Sequence, residues 1–406
     1  MKRALGTLWA ALLLVGLYGV YLRLTQGHVP VNYNSYIPWG LWVAVYIYFV
    51  GLSAGAFLLS ALVYVFDNKR MEPVGKLALF TALVTLLCAL LIIWADLGHM
   101  SRFYRVYTRP NFLSMMAWMV WLYTLYFLLL LVEFWFAIRQ DLARRAGEGG
   151  FGGALAGAFL LGQRSLSAEA LARDRKVLRV LGALGIPLAI AFHGGVGALF
   201  GVVGARAYWH SALYPLLFLI SALTSGGALL TAAVAIFWPV RDGGYRELVS
   251  HLGRVTLGLL ALDLLFEWAE FSINLYAAIP AHAEAFRLVL FGPYWWVFWV
   301  VHLGLGAVVP GLILLLRGRS PTWVGAAATL LVVAFIGVRL NIVIPGLAVP
   351  EFQALERAYI DSRLHFQYFP SAAEWLLTAF VMGLGGILFL LGSRYLPLLH
   401  VEKGGA

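Results

Sequence analysis

The chain has 406 residues, of which 62% are hydrophobic and 12% charged, and its net charge is +10. Soluble domains are about 45–50% apolar and about 25% charged, so this composition excludes a soluble enzyme, a disordered chain and a disulfide scaffold, and indicates a polytopic membrane protein. The single cysteine, Cys88, excludes an intramolecular disulfide, a CxxCH haem attachment and a cluster held by four thiolates of this chain.

Ten apolar segments are long enough to cross a bilayer, because a spanning helix needs about 20 such residues. The first follows Lys2 and Arg3 and lacks a small-x-small cleavage site, so we interpret it as a retained anchor helix and not as a signal peptide. The sequence therefore predicts an all-α membrane protein with ten transmembrane helices. Predicted helices 1–10 cover residues 4–22, 38–66, 74–99, 112–137, 177–200, 210–238, 252–279, 293–316, 322–343 and 371–396.

Basic residues are concentrated in alternate loops. When the N-terminus is placed inside, most of the 29 Lys and Arg residues lie on the inner side, which predicts two cytoplasmic termini in a bacterial inner membrane. The Gly- and Arg-rich segment 138–176 is then a cytoplasmic loop or surface helix, and 344–370 is an outer lid or docking surface. Basic and aromatic residues are not interleaved outside the apolar segments, so we expect no nucleic-acid partner.

Two short motifs recur at nearly the same offset. Residues 53–56 read SAGA and 225–228 read SGGA, whereas 94–97 read WADL and 268–271 read WAEF. We therefore predict two related four-helix bundles, helices 2–5 and 6–9, flanked by helices 1 and 10. The alternative, that small residues only reflect close helix packing, stays open. The predicted domains are 1–37 (anchor and outer loop), 38–200 (first bundle), 201–343 (second bundle) and 344–406 (outer loop and last helix).

Ionisable residues in the first bundle are candidates for a quinol site. Asp96 and His99 are three residues apart near the end of helix 3, and His193 lies in the outer half of helix 5 before two glycines. A charged side chain at mid-bilayer costs about 2.5–3.5 kcal/mol, so we expect each such residue to have a specific structural or functional role. An acid and two imidazoles at one depth can hold both oxygens of a hydroquinone and accept its protons. The alternatives are a helix-end ion pair for Asp96 and an interhelical hydrogen bond for His193.

Four further residues are candidates for the lining of this pocket, namely Tyr36, Trp39, Ser53 and Arg102. For the two aromatic side chains, the alternative is an interfacial aromatic belt. Arg102 is also the candidate ion-pair partner of Asp96.

The second bundle carries a stripe of polar residues. Thr256, Asp263, Glu267, Glu270 and Asn274 follow one another at helical spacing on one face of helix 7. Such a stripe indicates either a proton or ion route or a buried ion-pair network, and both interpretations stay open. The candidate route consists of Asp263, Glu267, Glu270, His302 and Arg339. We predict no metal site. Glu133, near the inner end of helix 4, is either a cytoplasmic entry to the route or a snorkelling end residue, and we favour the second interpretation.

The stretch NYNSYIPWGLW at 32–42, followed by GLSAG at 51–55, resembles the NrfD-like family of polysulfide-reductase-type membrane subunits. It is most similar to the ten-helix branch, which includes hydrogenase cytochrome-b-like subunits and membrane subunits of alternative complex III. The WADLGH stretch at 94–99 and His193 resemble positions of that family's quinol pocket.

The resemblance implies a subunit that exchanges electrons between membrane quinone, menaquinone or ubiquinone, and a four-cluster iron–sulfur protein on the outer face. That protein would connect to a catalytic subunit, such as a molybdopterin enzyme, a hydrogenase or a multihaem cytochrome. The resemblance implies no haem or iron–sulfur cluster in this chain and leaves proton translocation open. Two alternatives remain: a b-type cytochrome with His99 and His193 as haem ligands, and an ion- or proton-coupled transporter.

Overall fold

The computed structural model describes residues 2–147, 150–277, 279–352, 354–358, 361 and 364–399. Within these ranges the regular structure is helical, and ten helices are long and apolar enough to cross a membrane, which confirms the predicted fold class. We number them α1 to α10. They are Lys2–Gln26, Leu41–Tyr64, Glu72–Asp96, Met115–Ala146, Ala168–Gly201, Tyr214–Phe237, Gly243–Ala277, Val297–Arg317, Pro321–Ala348 and Ala372–Tyr395.

The two membrane faces are defined by contacts between helix ends. At one end, Arg23 of α1 donates to the carbonyl oxygens of Ala95 and Leu97 at the end of α3. At the other, Lys76 at the start of α3 pairs with Asp141 near the end of α4, at 2.5 Å. We call these ends the Asp96 face and the Lys76 face. Odd-numbered helices end at the Asp96 face, and even-numbered helices begin there.

Helices α4 and α5 are longer than their apolar segments. They continue past the predicted ends because charged side chains pair between them: the fully buried Arg139 donates from Nε to Asp174 Oδ2 at 2.6 Å. A further helix, Gly150–Phe159, lies between them. Much of the segment 138–176 is therefore helical.

Helix α2 packs closely against α6 at the two small-residue motifs. A Cβ atom at Gly55 would lie 2.0 Å from the carbonyl oxygen of Ala222, and one at Gly226 would lie 2.5 Å from the backbone nitrogen of Ala56. Glycine is therefore required at this crossing, as is usual where membrane helices approach closely. The relation of α2–α5 to α6–α9 as repeated bundles stays a prediction.

The outer helices include one unusual segment. α1 packs on α10, where Gly16 meets the backbone of Phe380. A short helix, Pro280–Phe291, precedes α8, and the first part of α8, Val297–Val308, is a π-helix. π-Helices longer than one turn are rare and often mark functional positions.

Candidate functional site

Asp96 is the last residue of α3, and its surroundings combine an anion, a phenol and a cation. The Tyr33 hydroxyl donates to Asp96 Oδ1 at 3.0 Å. Arg23 donates to the carbonyl oxygens of Ala95 and Leu97 at 2.6 Å each, which places a cation at the carboxyl end of α3. The end of α3 is thus held by Arg23 of α1, and the Asp96 carboxylate is held by Tyr33 in the connection before α2.

The connection before α2, residues 27–40, is fixed by the start of α10. Glu374 is fully buried, forms a capping box with Ser371 and accepts from the backbone nitrogen of Asn32 at 3.1 Å. The Tyr368 hydroxyl donates to Glu374 and accepts from the backbone nitrogen of Leu41 at 2.7 Å. These contacts hold the connection, and with it Tyr33, in one position.

His28 completes this group. Its ring packs against Tyr33 and Trp42, with ring centroids 5.5 and 6.0 Å apart, and its Nε2 is buried with no hydrogen-bond partner among the described residues. Burial and the nearby Arg23 cation lower the pKa of His28, so the ring is neutral at neutral pH and can accept a proton. Burial and the Asp96 carboxylate raise the pKa of Tyr33, so its hydroxyl stays a donor. We call Asp96, Tyr33 and His28 the Asp96 group.

The predicted neighbours of Asp96 lie in different surroundings. Helix α3 ends at Asp96 and not at residue 99, because the chain turns after it, so the exposed His99 does not share a helix face with Asp96. Arg102 is also exposed at this face. Tyr36 stacks on Phe366 at 4.6 Å, in the connection that leads to α10.

The two remaining lining candidates contact other parts of the chain. Trp39 stacks on Trp209, with ring centroids 5.6 Å apart, in the connection between α5 and α6. Ser53 is buried about 18 Å along α2 and donates to the carbonyl oxygen of Ala82 at 2.8 Å.

His193 lies with Arg339, deeper in the membrane. It is eight residues, or about 12 Å, from the end of α5, fully buried, and neither ring nitrogen has a hydrogen-bond partner in the described chain. The positive charge of Arg339 interacts electrostatically with His193. A Cβ atom added at Gly51 would lie 3.6 Å from the His193 imidazole and 3.0 Å from the Arg339 guanidinium, so both groups lie beside Gly51. Among the described residues, Asp96 and His193 share no hydrogen bond, ring contact or charge interaction with each other. A joint quinol site with His99 stays a prediction.

Arg339 on α9 is fully buried without a protein acceptor among the described residues. None of its three guanidinium nitrogens makes a hydrogen bond, and the group packs over Phe218 and Phe335 at 5.2 and 5.3 Å. Asp263 on α7 is the carboxylate whose charge acts on it. An unbonded cation inside a protein is costly unless water or a mobile partner solvates it.

The predicted stripe on α7 comes together with α8 and α9. His302, in the π-helix, lies 3.1 Å from Glu267 Oε2 and 3.4 Å from the amide of Asn341. Glu270 accepts from Ser211 at 3.1 Å. A small cavity is lined by Asp263, Glu267, Glu270, His302 and Asn341, among others. We call it the α7 cavity; it extends from the level of Arg339 towards the Asp96 face.

The haem alternative requires both imidazoles on one iron. His99 is exposed beyond the end of α3, whereas His193 is buried beside Arg339 and Phe218. This pair of positions does not fit a shared haem.

Glu133 corrects one interpretation of the sequence. Its side chain is fully buried and both carboxylate oxygens lack a hydrogen-bond partner among the described residues, so it does not snorkel to the membrane surface. Sequence reasoning also missed His28 and Arg23. Their only sequence signal is an ionisable side chain at the end of an apolar segment, which is common and unspecific.

The comparisons with known proteins cover nearly the whole chain. A family model described as "Polysulphide reductase, NrfD" matches residues 29–351. The chain is 37% identical to a subunit of selenate reductase from Mesobacillus selenatarsenatis, over 99% of this chain and 96% of the relative.

Two further relatives carry names that mention a quinone. The Hdr-like menaquinol oxidoreductase integral membrane subunit of Archaeoglobus fulgidus is 27% identical, over 98% of this chain and 93% of its own. The integral membrane subunit of menaquinone reductase from Nitratidesulfovibrio vulgaris is 24% identical, over 97% and 92%. The resemblance noted in the sequence is confirmed: the chain belongs to the polysulphide reductase NrfD family.

Proposed function

We propose that this chain is the quinone-binding membrane subunit of a respiratory oxidoreductase complex and that menaquinol binds at the Asp96 group. The observation that carries this proposal is the hydrogen bond between Tyr33 and Asp96 at 3.0 Å, beside His28, whose Nε2 has no hydrogen-bond partner among the described residues. A carboxylate, a phenol and a neutral imidazole can together hold a hydroquinone and accept its protons.

The chemistry divides between this chain and a partner. Oxidation of a hydroquinone to a quinone releases two electrons and two protons. In our proposal the protons pass to Asp96 and His28, while Tyr33 keeps the carboxylate oriented. The electrons pass to an iron–sulfur protein docked at the Asp96 face, and the reverse direction uses the same groups.

Two observations support the choice of menaquinone and of the docking face. The names of the Archaeoglobus and Nitratidesulfovibrio relatives mention menaquinol or menaquinone. The predicted outer side, by the distribution of basic residues, is the Asp96 face, where Arg102 and Arg105 are exposed for contact with a partner. A four-cluster iron–sulfur subunit, a further catalytic subunit, a bacterial inner membrane and cytoplasmic termini belong to the same proposal.

The selenate reductase relative supports the assignment to a complex. Its name describes one subunit of a reductase, and it aligns with the present chain almost from end to end. We infer that this chain, too, acts together with a catalytic subunit.

The experiment uses the complex that co-purifies with a tagged chain. Menadiol is added, and reduction of the iron–sulfur partner is followed by its absorbance. Loss of an acid–base group costs about 100-fold in rate, so Asp96→Asn should reduce the rate by about that factor in a complex that retains all of its subunits.

The matched control is Asp67→Asn, because Asp67 is an exposed carboxylate that pairs with Arg179 at the Lys76 face. It should leave the rate unchanged. A wild-type rate in the Asp96→Asn complex would refute the proposed site.

A further inference from the structure

Glu133, near the Lys76 face, is a carboxylate with no hydrogen-bond partner in the described part of the chain. It lies on α4 next to the end of α2: a Cβ at Gly182 would be 3.5 Å from Glu133 Oε1 and 2.8 Å from the side chain of Val65. The charge of Glu133 also acts on Tyr64, the last residue of α2. A buried carboxylate without a partner is stable only when it holds a proton or contacts water.

A second polar position lies two turns further along α4, on the same face. The buried Tyr126 hydroxyl donates to the carbonyl oxygen of Ser53 at 3.3 Å and lies 3.5 Å from its hydroxyl. The Tyr126 ring packs on Phe192 at 4.7 Å, next to His193 in sequence. The line from Glu133 through Tyr126 therefore reaches the level of His193 and Gly51.

At this level α2, α5, α6 and α9 meet, and several buried polar atoms have no hydrogen-bond partner among the residues that the structure describes. They are both ring nitrogens of His193, the guanidinium nitrogens of Arg339 and the Ser221 hydroxyl. A Cβ atom at Gly51 would lie 3.0 Å from the Arg339 guanidinium and 3.6 Å from both the His193 imidazole and the Ser225 hydroxyl, so these three polar groups surround Gly51. Buried polar atoms without protein partners are usually hydrogen-bonded to water.

Beyond Arg339 the polar positions continue to the Asp96 face. The Asp263 carboxylate interacts electrostatically with Arg339 and lines the α7 cavity. The Glu267–His302 pair lines the same cavity. Glu270 extends this line to Ser211, in the connection between α5 and α6.

We propose that these positions form one proton path, which enters between α2, α4 and α5, crosses between the two predicted bundles at His193 and Arg339, and leaves through the α7 cavity. A proton from water at the Lys76 face is taken up by Glu133, and a proton is released to water from the α7 cavity. Only O–H and N–H bonds form and break, and no electron travels along the path. Its driving reaction, quinol oxidation, rests on the function proposed above.

Arg339 is the gate of this path. A fixed guanidinium beside a water chain repels protons, as arginines do in membrane pores. In this structure no protein acceptor among the described residues holds Arg339, so the cation can shift between His193 and Asp263 without breaking a protein hydrogen bond.

The same chain shows what a purely structural buried charge looks like. Arg139 donates to Asp174 and to the carbonyl oxygens of Gln163 and Ser165. Glu133 and Arg339 lack such contacts among the described residues, which argues against a purely structural role for them.

The first experiment places the purified complex in liposomes with a pH dye inside. Menadiol drives turnover, and the protons moved per electron are measured. With a protonophore present, Glu133→Gln and Asp263→Asn should transfer electrons at a rate within about twofold of the wild-type rate. Neither variant should translocate protons across the membrane, so that only the protons released by the quinol itself are measured. Glu72→Gln, at an exposed site at the start of α3, is the control and should behave as the wild type.

The second experiment needs no quinol, so it tests the path even when the proposed function fails. A potassium diffusion potential is imposed on the same liposomes. Liposomes with the wild-type complex should conduct few protons. The Arg339→Gln complex should conduct protons at least about tenfold faster than the wild type, and the double variant Arg339→Gln, Glu133→Gln should return to the wild-type rate. Retention of every subunit in the purified complex shows that the variants fold.

Two results would overturn the proposal. The first is an unchanged ratio of protons to electrons in both carboxylate variants, or a wild type that moves only the protons of the quinol. The second is an Arg339→Gln complex that does not leak, or one whose leak survives the loss of Glu133.

Discussion

At the scale of single residues, the ionisable side chains discussed above fall into two groups. Asp96 and Glu374 have hydrogen-bond donors within 3.1 Å. Glu133, His193 and Arg339 have no protein partner for their polar atoms in the described chain. An unpaired polar group inside a membrane is energetically costly. The side chains of the second group therefore need water, a bound proton or a mobile charged group to stabilise them.

His28 gives a pH-dependent prediction. Its pKa is lowered in the folded protein, so below its ordinary pKa of about 6.5 the unfolded chain binds a proton more readily than the folded one. The stability that this group contributes is therefore present above that pH and is lost as the pH falls. Thermal unfolding should show a larger drop between about pH 7.5 and 5.5 for the wild type than for His28→Gln.

The difference should be small, because the ring is only half-buried and solvent screens it. His210→Gln, at an exposed position, serves as the control and should follow the wild type. An identical pH profile for His28→Gln would mean that His28 is not held neutral by its surroundings.

Single residues were partly predictable from the sequence. Asp96 stands out because a carboxylate ends an apolar segment. His28 and Arg23 do not, because their role depends on contacts with residues about 70 positions away. A histidine in a loop has no spacing pattern that would identify its partners.

At the scale of helices, the crossing of α2 and α6 holds the centre of the molecule together. At Gly55 and Gly226 the two backbones touch, and this contact sets the separation of the helices that carry Gly51 and Phe218. The positions of His193 and Arg339 depend on that separation, because α5 and α9 pack on the same two helices.

We therefore predict that Gly226→Leu destabilises the protein. A side chain there would meet the backbone of α2 at 2.5 Å, and overpacking typically costs about 1–3 kcal/mol even where side chains can move. We expect a cost at or above that range, measured as a lower thermal midpoint in detergent. Gly258→Leu is the matched control, because a Cβ there meets no atom within 4 Å. Equal midpoints would contradict the proposed role of this crossing.

Hydropathy predicted the number and order of the helices correctly because each apolar segment must be helical in a membrane. Hydropathy underestimated the lengths of α4 and α5, because their additional turns are stabilised by the ion pairs Arg139–Asp174 and Lys76–Asp141 and not by burial in lipid. The π-helix of α8 was not predictable either, since its backbone pattern leaves no signature in hydropathy.

At the scale of the whole molecule, the Asp96 group and the proposed proton path are separate. The Asp96 group lies at the end of α3, whereas the path runs from Glu133 through Arg339 to the α7 cavity. Electron and proton movements would thus be linked through the structure and not through a shared residue. Apolar periodicity does not determine how each helix is rotated about its axis, which is why the placement of His193 and Arg339 beside the same glycine, Gly51, could not be predicted.

The central claim is that menaquinone binds at the Asp96 group, and photolabelling tests it most directly. The complex is illuminated with an azido-menaquinone, and the labelled residues are mapped by mass spectrometry. We predict labels within residues 28–42 or 94–99 that excess menadione displaces and that Asp96→Asn weakens. Specific labelling of the α7 cavity alone, with no label near Asp96, would contradict the account.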